Sequence, residues 1–213
     1  TAYLEAARAE SQLFRFDSAL ELLEHGLELA PAPDDSHRLL MLKGECTRET
    51  GHAADSTAIY RAALDVAENA PARCRALIGL AAGMRVTDEF DDAFDALDQA
   101  QAIAEAESLH LELSQVHYYR GNLYFPLGKI DGCLKEHELA LAQAQIAASP
   151  EDEARALSGL GDAYYSRGRM ISSLSYFRRC LDLCRQQGLG RIAVGNQYMA
   201  AWGRFYLNEV AGA

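Results

Sequence analysis

The stretch Leu160-Gly161-Asp162-Ala163-Tyr164, followed by Gly168 and then Phe177, decides the fold, because weaker copies of it run through the whole chain. Gly121-x-x-Tyr124 lies 40 residues earlier, with Gly128 as far behind Gly121 as Gly168 is behind Gly161. Ala81, Gly44 and Ala7 continue the series, so the intervals read from the N-terminal side are 37, 37, 40 and 40 residues. A fixed period of this size signifies stacked supersecondary units that bury their apolar faces on one another rather than one globular core.

Each period resolves into two helices, A and B. In the fifth, Ser149-Pro150-Glu151-Asp152 predicts a helix start, with Ser at the N-cap, Pro at the first position and acids in the first turn. Leu157, Leu160 and Tyr164 follow at helical spacing, and Gly168 suits the left-handed residue after the helix. Helix B then carries Met170, Leu174, Phe177, Leu181 and Cys184. The third unit places Asp88 where the others have the stop glycine, and the first has short helices over residues 3–13 and 16–29. The small residues Ala7, Gly44, Ala81, Gly121 and Gly161 let helix A approach helix B at Ala19, Ser56, Ala93, Cys133 and Ser173. Large residues four positions later (Leu23, Tyr60, Leu97, His137 and Phe177) fill the space beside them.

Composition bounds the function classes. The 213 residues are 49% hydrophobic, enough to exclude disorder, and alternating β-branched runs are missing, so the class is all-α. A net charge of -11 argues against nucleic acid as a partner. No run of 18 apolar residues suits a membrane span, and the first residues show no signal-peptide pattern. Five cysteines, odd in number and without a Cys-x-x-Cys pair, read as core residues of a reducing, cytoplasmic compartment.

The pattern resembles the tetratricopeptide repeat, on the strength of Leu160, Gly161, Tyr164 and Phe177, with Pro31 matching the family's terminal proline once. It departs from the family in its longer period and in never placing Trp at the early aromatic position. The resemblance implies a right-handed superhelical α-solenoid of antiparallel helix pairs. Its repeats fall at about 1–33, 37–70, 74–107, 114–147 and 154–187, plus a half repeat or capping helix over 191–208, in one domain spanning 1–213. The long period is similar to lengthened variants in which both helices gain about a turn. The unpaired last helix carries Trp202, Phe205 and Tyr206 and suits either a cap, a self-association surface, or a piece of a longer protein. The segment 119–176 further resembles helical repeat regions that follow class III adenylate cyclase and ATPase modules in large bacterial signalling proteins. That resemblance implies a non-catalytic sensor or scaffold arm.

No phosphate loop, Gly-x-Ser-x-Gly or His-Glu-x-x-His motif is present, so no enzyme and no cofactor is expected. His117, Cys133 and His137 are a candidate metal cluster, Cys133 and His137 being four apart on one helix. The alternative is a satisfied core in which the two histidines hydrogen-bond each other while Glu136 and Glu138 point elsewhere.

The family resemblance also implies that helix A lines an inner groove at its second, ninth and twelfth repeat positions. Aligning the sixth helix on Gly203 gives 18 such positions, of which seven are arginines (Arg8, Arg38, Arg48, Arg75, Arg85, Arg155 and Arg204) and two are acidic. An acidic chain would then carry a basic groove suited to an acidic or amphipathic peptide, anchored by Tyr118, Asn122, Phe125 and Tyr165. The alternative is that each arginine pairs with acids of a neighbouring helix in a neutral lattice. Pro126 should end its helix early and push Phe125 toward the groove. A protein or peptide partner, a small ligand sensed by the groove, and a homodimer through the last helix are the three expectations.

Overall fold

Eleven helices and no strand make up the computed structural model, which describes residues 2–29 and 32–208. Thr1 and Pro31, a groove position and the family-signature proline, lie outside the described residues, as does 209–213. The helices are α1 (Ala2–Gln12), α2 (Phe16–Glu28), α3 (Pro33–Glu49), α4 (Ala53–Asp65), α5 (Ala70–Val86), α6 (Phe90–Ala106), α7 (His110–Tyr124), α8 (Ile130–Ile146), α9 (Pro150–Ser166), α10 (Met170–Gln187) and α11 (Gly190–Tyr206). They gather into two compact units, residues 1–108 with α1–α6 and residues 109–213 with α7–α11. Odd-numbered helices are the A helices, and α1, α3, α5, α7 and α9 each pack on the B helix that follows.

The turn between A and B is built the same way each time. The residue with positive φ is Phe14, Gly51, Asp88, Gly128, Gly168 and finally Asn208, which repeats the 37-37-40-40 series and adds another 40. Left-handed backbone is strained for a side chain such as that of Phe14, so its use here reflects a turn over-determined by the helices on either side. The start of α9 matches its sequence signature: the Ser149 hydroxyl accepts from the Asp152 N–H at 3.4 Å and donates to the Asp152 carboxylate at 2.7 Å. Pro126 acts as expected too. Helix α7 ends at Tyr124, whereas α9 continues to Ser166, the counterpart of Pro126.

The difference between the 37- and 40-residue repeats resides in helix B. A helices α3, α5 and α9 have 17 residues whichever period they belong to, while B helices grow from 13 residues in α2 and α4 to 17 or 18 in α6, α8 and α10. The lengthened B helices end in a second positive-φ turn at Ser108, Ala148 and Gly188.

Within repeats two to five, a polar link 26 residues long ties the start of A to the end of B. His37 Nδ1–H donates to the Ala63 carbonyl at 3.0 Å, the Cys74 thiol to Ala100 at 3.3 Å, and the Ser114 hydroxyl to Ala140 at 2.9 Å. In the fifth repeat the direction reverses, and the Cys180 thiol on α10 donates to the Ala154 carbonyl at 3.3 Å. The large B-helix residues sit where expected, and two of the rings are held from two sides. A Cβ on Gly44 or on Gly79 would come within 2.7 or 2.4 Å of the Tyr60 ring, and one on Gly121 or Gly159 within 2.7 or 2.4 Å of the His137 ring. Each of these rings is therefore clamped between its own A helix and the next one. Phe177 is fully buried against Gly161 in the same manner.

Candidate partner-binding faces

On α3, α7, α9 and α11 one stripe stays outside the buried faces at i, i+3, i+4 spacing, whereas on α5 everything from Ala76 to Met84 is buried and on α1 Leu4 and Ser11 are buried. On α9 the stripe is Arg155, Ser158, Asp162 and Tyr165, all half-buried, and on α7 it is Gln115, Tyr118, Asn122 and Phe125. The register of α11 follows from Asn208, which lies 40 residues after Gly168 in the same turn. Buried Asn196, Ala200 and Gly203 likewise stand 40 after buried Ala156, Leu160 and Ala163. The α11 stripe is thus Gly195, Tyr198, Trp202 and Phe205. Alignment on Gly203 is overturned, because Gly203 is the counterpart of Ala163, and Arg204 leaves the groove-facing set. Trp202 and Phe205, assigned from sequence to self-association alone, belong to the same face as Asn122, Asp162 and Tyr165.

Six of the seven arginines expected at groove positions keep that register, and five of them stand in unit 1. They are not a bare cationic surface, and much of their pairing stays within one helix. Arg8 pairs with Glu5 at 3.4 Å, Arg38 with Asp34 at 3.0 Å and Arg48 with Glu49 at 2.7 Å, each partner lying on the same helix. Arg75 is also engaged. The Nε of Arg48 and that of Arg85 are both buried without a hydrogen-bond partner, and Arg85 in addition makes no ion pair among the described residues.

The face of unit 2 has another character. Helices α7, α9 and α11 touch in sequence, so their stripes lie side by side. Six of the twelve stripe residues are aromatic, and the single base, Arg155, is held by Glu151 at 2.5 Å on its own helix. Tyr118 packs on Tyr119 at 5.2 Å and on His137 at 5.7 Å between ring centroids. Tyr165 meets Tyr206 at 6.2 Å, and Trp202 lies 5.8 Å from Tyr206 and 5.6 Å from Phe205. Phe125 is 41% exposed, as the helix-ending role of Pro126 implies. At the centre of this lattice, burial pushes the Asp162 carboxyl up to about 6.

The candidate metal cluster resolves into core packing. His117 Nδ1–H donates to Glu136 Oε2 at 2.8 Å, and Arg120 lies 3.7 Å from the same carboxylate, so Glu136 points into the cluster rather than away from it. His137 does not bond His117 through its Nδ1, which is buried without a partner, and burial, opposed by Glu136, pushes its imidazole down to about 4. The Cys133 thiol is pushed up to about 11 by burial and by Asp162, and it packs against Leu134, Leu160 and Ala163. Among the described residues no group of three or more His, Cys, Asp or Glu is arranged to hold a metal ion, and no helix is long and apolar enough to cross a membrane.

Gly79 and Gly159, the second halves of the ring clamps, escaped the sequence reading. Their signal was the pair Gly79-Leu80-Ala81 and Gly159-Leu160-Gly161, in which a second small residue precedes the first by two.

Known proteins give a consistent frame. Models described as tetratricopeptide repeat match residues 112–186 and residues 1–33. No curated protein sequence matches the chain. Among solved structures, a Rap protein complexed with competence and sporulation factor is similar with a TM-score of 0.79 and 15% identity over 97% of this chain. Aspartyl phosphate phosphatase F from Bacillus subtilis is similar with a TM-score of 0.68 and 14% identity over 91% of the chain. The chain spans 63% of the first protein's length and 51% of the second's. A thermophilic TPR protein from Thermus thermophilus matches with a TM-score of 0.67 and 19% identity, over 93% of this chain and 97% of that protein. With the repeated A–B turn, the glycine-clamped rings and both family matches in agreement, the chain belongs to the tetratricopeptide-repeat family.

Proposed function

We propose that the chain is a non-catalytic interaction scaffold, an arm of a larger signalling protein, that holds a protein or peptide partner on the open stripes of its A helices. The observation that carries this reading is Arg85, a half-buried guanidinium near the end of α5 with a buried, unsatisfied Nε, on a helix that is buried from Ala76 to Met84. An unmet buried donor costs about 1–3 kcal/mol, which a ligand carboxylate or carbonyl recovers on binding. Exposed same-helix ion pairs such as those of Arg8 and Arg38 contribute about 0–1 kcal/mol each, so a partner's acids exchange for them at little cost. A Rap protein of this fold is complexed with competence and sporulation factor, which supports a partner bound by the scaffold here. The test is a titration of the full chain with acidic peptides, compared with the Arg48→Ala/Arg85→Ala variant and repeated at raised salt. Binding that weakens in both arms is expected; binding indifferent to salt and to the substitutions sinks the acidic-partner reading. A second reading, self-association through α11, draws support from Tyr198 and Phe205, which are 64% and 57% exposed. Sedimentation of Trp202→Ala tests it, since only a dimer built on that helix would dissociate.

A further inference from the structure

We infer that the A-helix face of unit 2 is a receptor for an arginine side chain of a peptide partner, with Asp162 as its counter-ion and Trp202 and Tyr165 as its aromatic walls. The inference rests on the reading that partners lie on the A-helix stripes, and it assigns to unit 2 a chemistry opposite to that of unit 1.

Three observations carry it. Asp162 is the one acid on the open stripes of α7, α9 and α11, and its carboxylate makes no hydrogen bond or ion pair among the described residues. A half-buried carboxylate without a partner is costly, and proteins keep such groups where something else completes them. The nearest base on its own stripe, Arg155, lies two turns away and is occupied by Glu151. From the other elements packed around it, α7 contributes the neutral Asn122, α11 contributes Trp202, and α8 and α10 contribute the thiols of Cys133 and Cys180, which feel its charge. No cation on these stripes is left to pair with it.

The second observation is the surrounding rings. Tyr165 is one turn along from Asp162, and Trp202 holds the position on α11 that Asp162 holds on α9. Ring faces attract cations, and a guanidinium stacks flat on an aromatic ring while its edge forks onto a carboxylate, which an ammonium cannot do. The third is the packing of the site: the Tyr165 ring meets that of Tyr206 at 6.2 Å between centroids, and the Trp202 ring packs against Tyr198, Phe205 and Tyr206. A wall that is already in place loses little entropy when the ligand arrives.

Trp202 is the chain's single tryptophan, so its fluorescence reports on the site directly. The full chain is titrated with three capped pentapeptides, Gly-Gly-X-Gly-Gly, in which X is Arg, Gln or Glu, and with free argininamide. The Arg peptide is expected to bind about ten-fold more tightly than the Gln peptide, the increment of one charge-assisted fork. Asp162→Asn should erase that preference without lowering the melting temperature, and Arg48→Ala/Arg85→Ala should leave it intact. Binding of the Arg peptide should also weaken below about pH 6, where Asp162 takes up its proton. Equal binding of the Arg and Gln peptides, or an Arg preference that survives in Asp162→Asn, overturns the inference. Argininamide binding as tightly as the peptide overturns the commitment to a peptide, and a concentration-dependent dimer lost in Asp162→Asn would assign the site to a second copy instead. Glu-peptide binding that is lost in Arg48→Ala/Arg85→Ala, with no Arg-peptide binding, leaves the unit 1 reading standing and removes this one.

Discussion

The two units repeat the same helix pair yet solve the same position in opposite ways. In unit 1 the ring clamped between neighbouring A helices is Tyr60; in unit 2 it is His137. In unit 1 the A helices carry five arginines at the corresponding positions, three of them (Arg8, Arg38 and Arg48) engaged by acids one to four residues away, while Arg48 and Arg85 each keep an unmet Nε. In unit 2 the stripes are aromatic around one unpartnered acid. The difference teaches that the period fixes where a side chain stands and leaves its chemistry free. Backbone geometry repeats through the array while each unit's face is set independently.

The largest effect that sharpens this contrast is expected from Tyr60→Ala. Removing a ring held between Gly44 and Gly79 leaves a cavity spanning two A helices and should cost about 3–5 kcal/mol. Hydrogen exchange should place the loss in unit 1, and protection lost equally in both units would break the independence of the two. The next effect belongs to pH. The His137 imidazole is held neutral, at about 4, by burial against the weaker pull of Glu136, whereas in the unfolded chain it protonates near 6.5. Its contribution is complete above that unfolded value and is lost as pH falls toward 4, about 3 kcal/mol in all. His137→Tyr, which copies unit 1, should flatten that acid slope in urea unfolding between pH 7 and 4; an unchanged slope would mean the imidazole is not the sensor.

Asp162 works in the other direction and more weakly. Its folded carboxyl takes a proton at about 6, above the ordinary value of 3.8, so its cost is present at neutral pH and is relieved as pH falls through 6. Asp162→Asn should therefore raise stability at pH 7, on the order of 1 kcal/mol once partial exposure is discounted, and should steepen the acid slope left by His137. Lower stability of the variant at pH 7 would make Asp162 a structural residue instead of a ligand-facing one. The smallest change is expected from Arg8→Ala, whose pair with Glu5 is exposed on both sides; unfolding should shift by less than about 0.5 kcal/mol.

The parts of the molecule legible in the sequence are those governed by local rules. Ser149-Pro150 announced its helix through capping chemistry, Asp88 marked a left-handed turn by standing at a glycine's place in the period, and Pro126 ended α7 through its missing donor. What was hidden depends on the angle between helices. Glu136 lies three residues after Cys133, about 60° around the helix from it, so it borders the buried face and reaches His117 only because α7 packs where it does. Gly203 imitates Gly161 in type, and the α11 register is revealed by the turn at Asn208 together with the buried Asn196, Ala200 and Gly203. The arginines were legible by position but not by partner, since a long side chain selects among several acids within reach.

The thiols that close two of the 26-residue links have a practical consequence. All five cysteines are buried thiols outside any disulfide, Cys46 and Cys74 in unit 1 and Cys133, Cys180 and Cys184 in unit 2. Burial pushes Cys133 up to about 11 and Cys180, with help from Cys184 and Asp162, up to about 12. A disulfide reagent attacks the thiolate, so modification waits for a local opening that brings a thiol to water. The chain thus carries two sets of internal clocks, and the labelling rates of each set time the opening of one unit without any added probe.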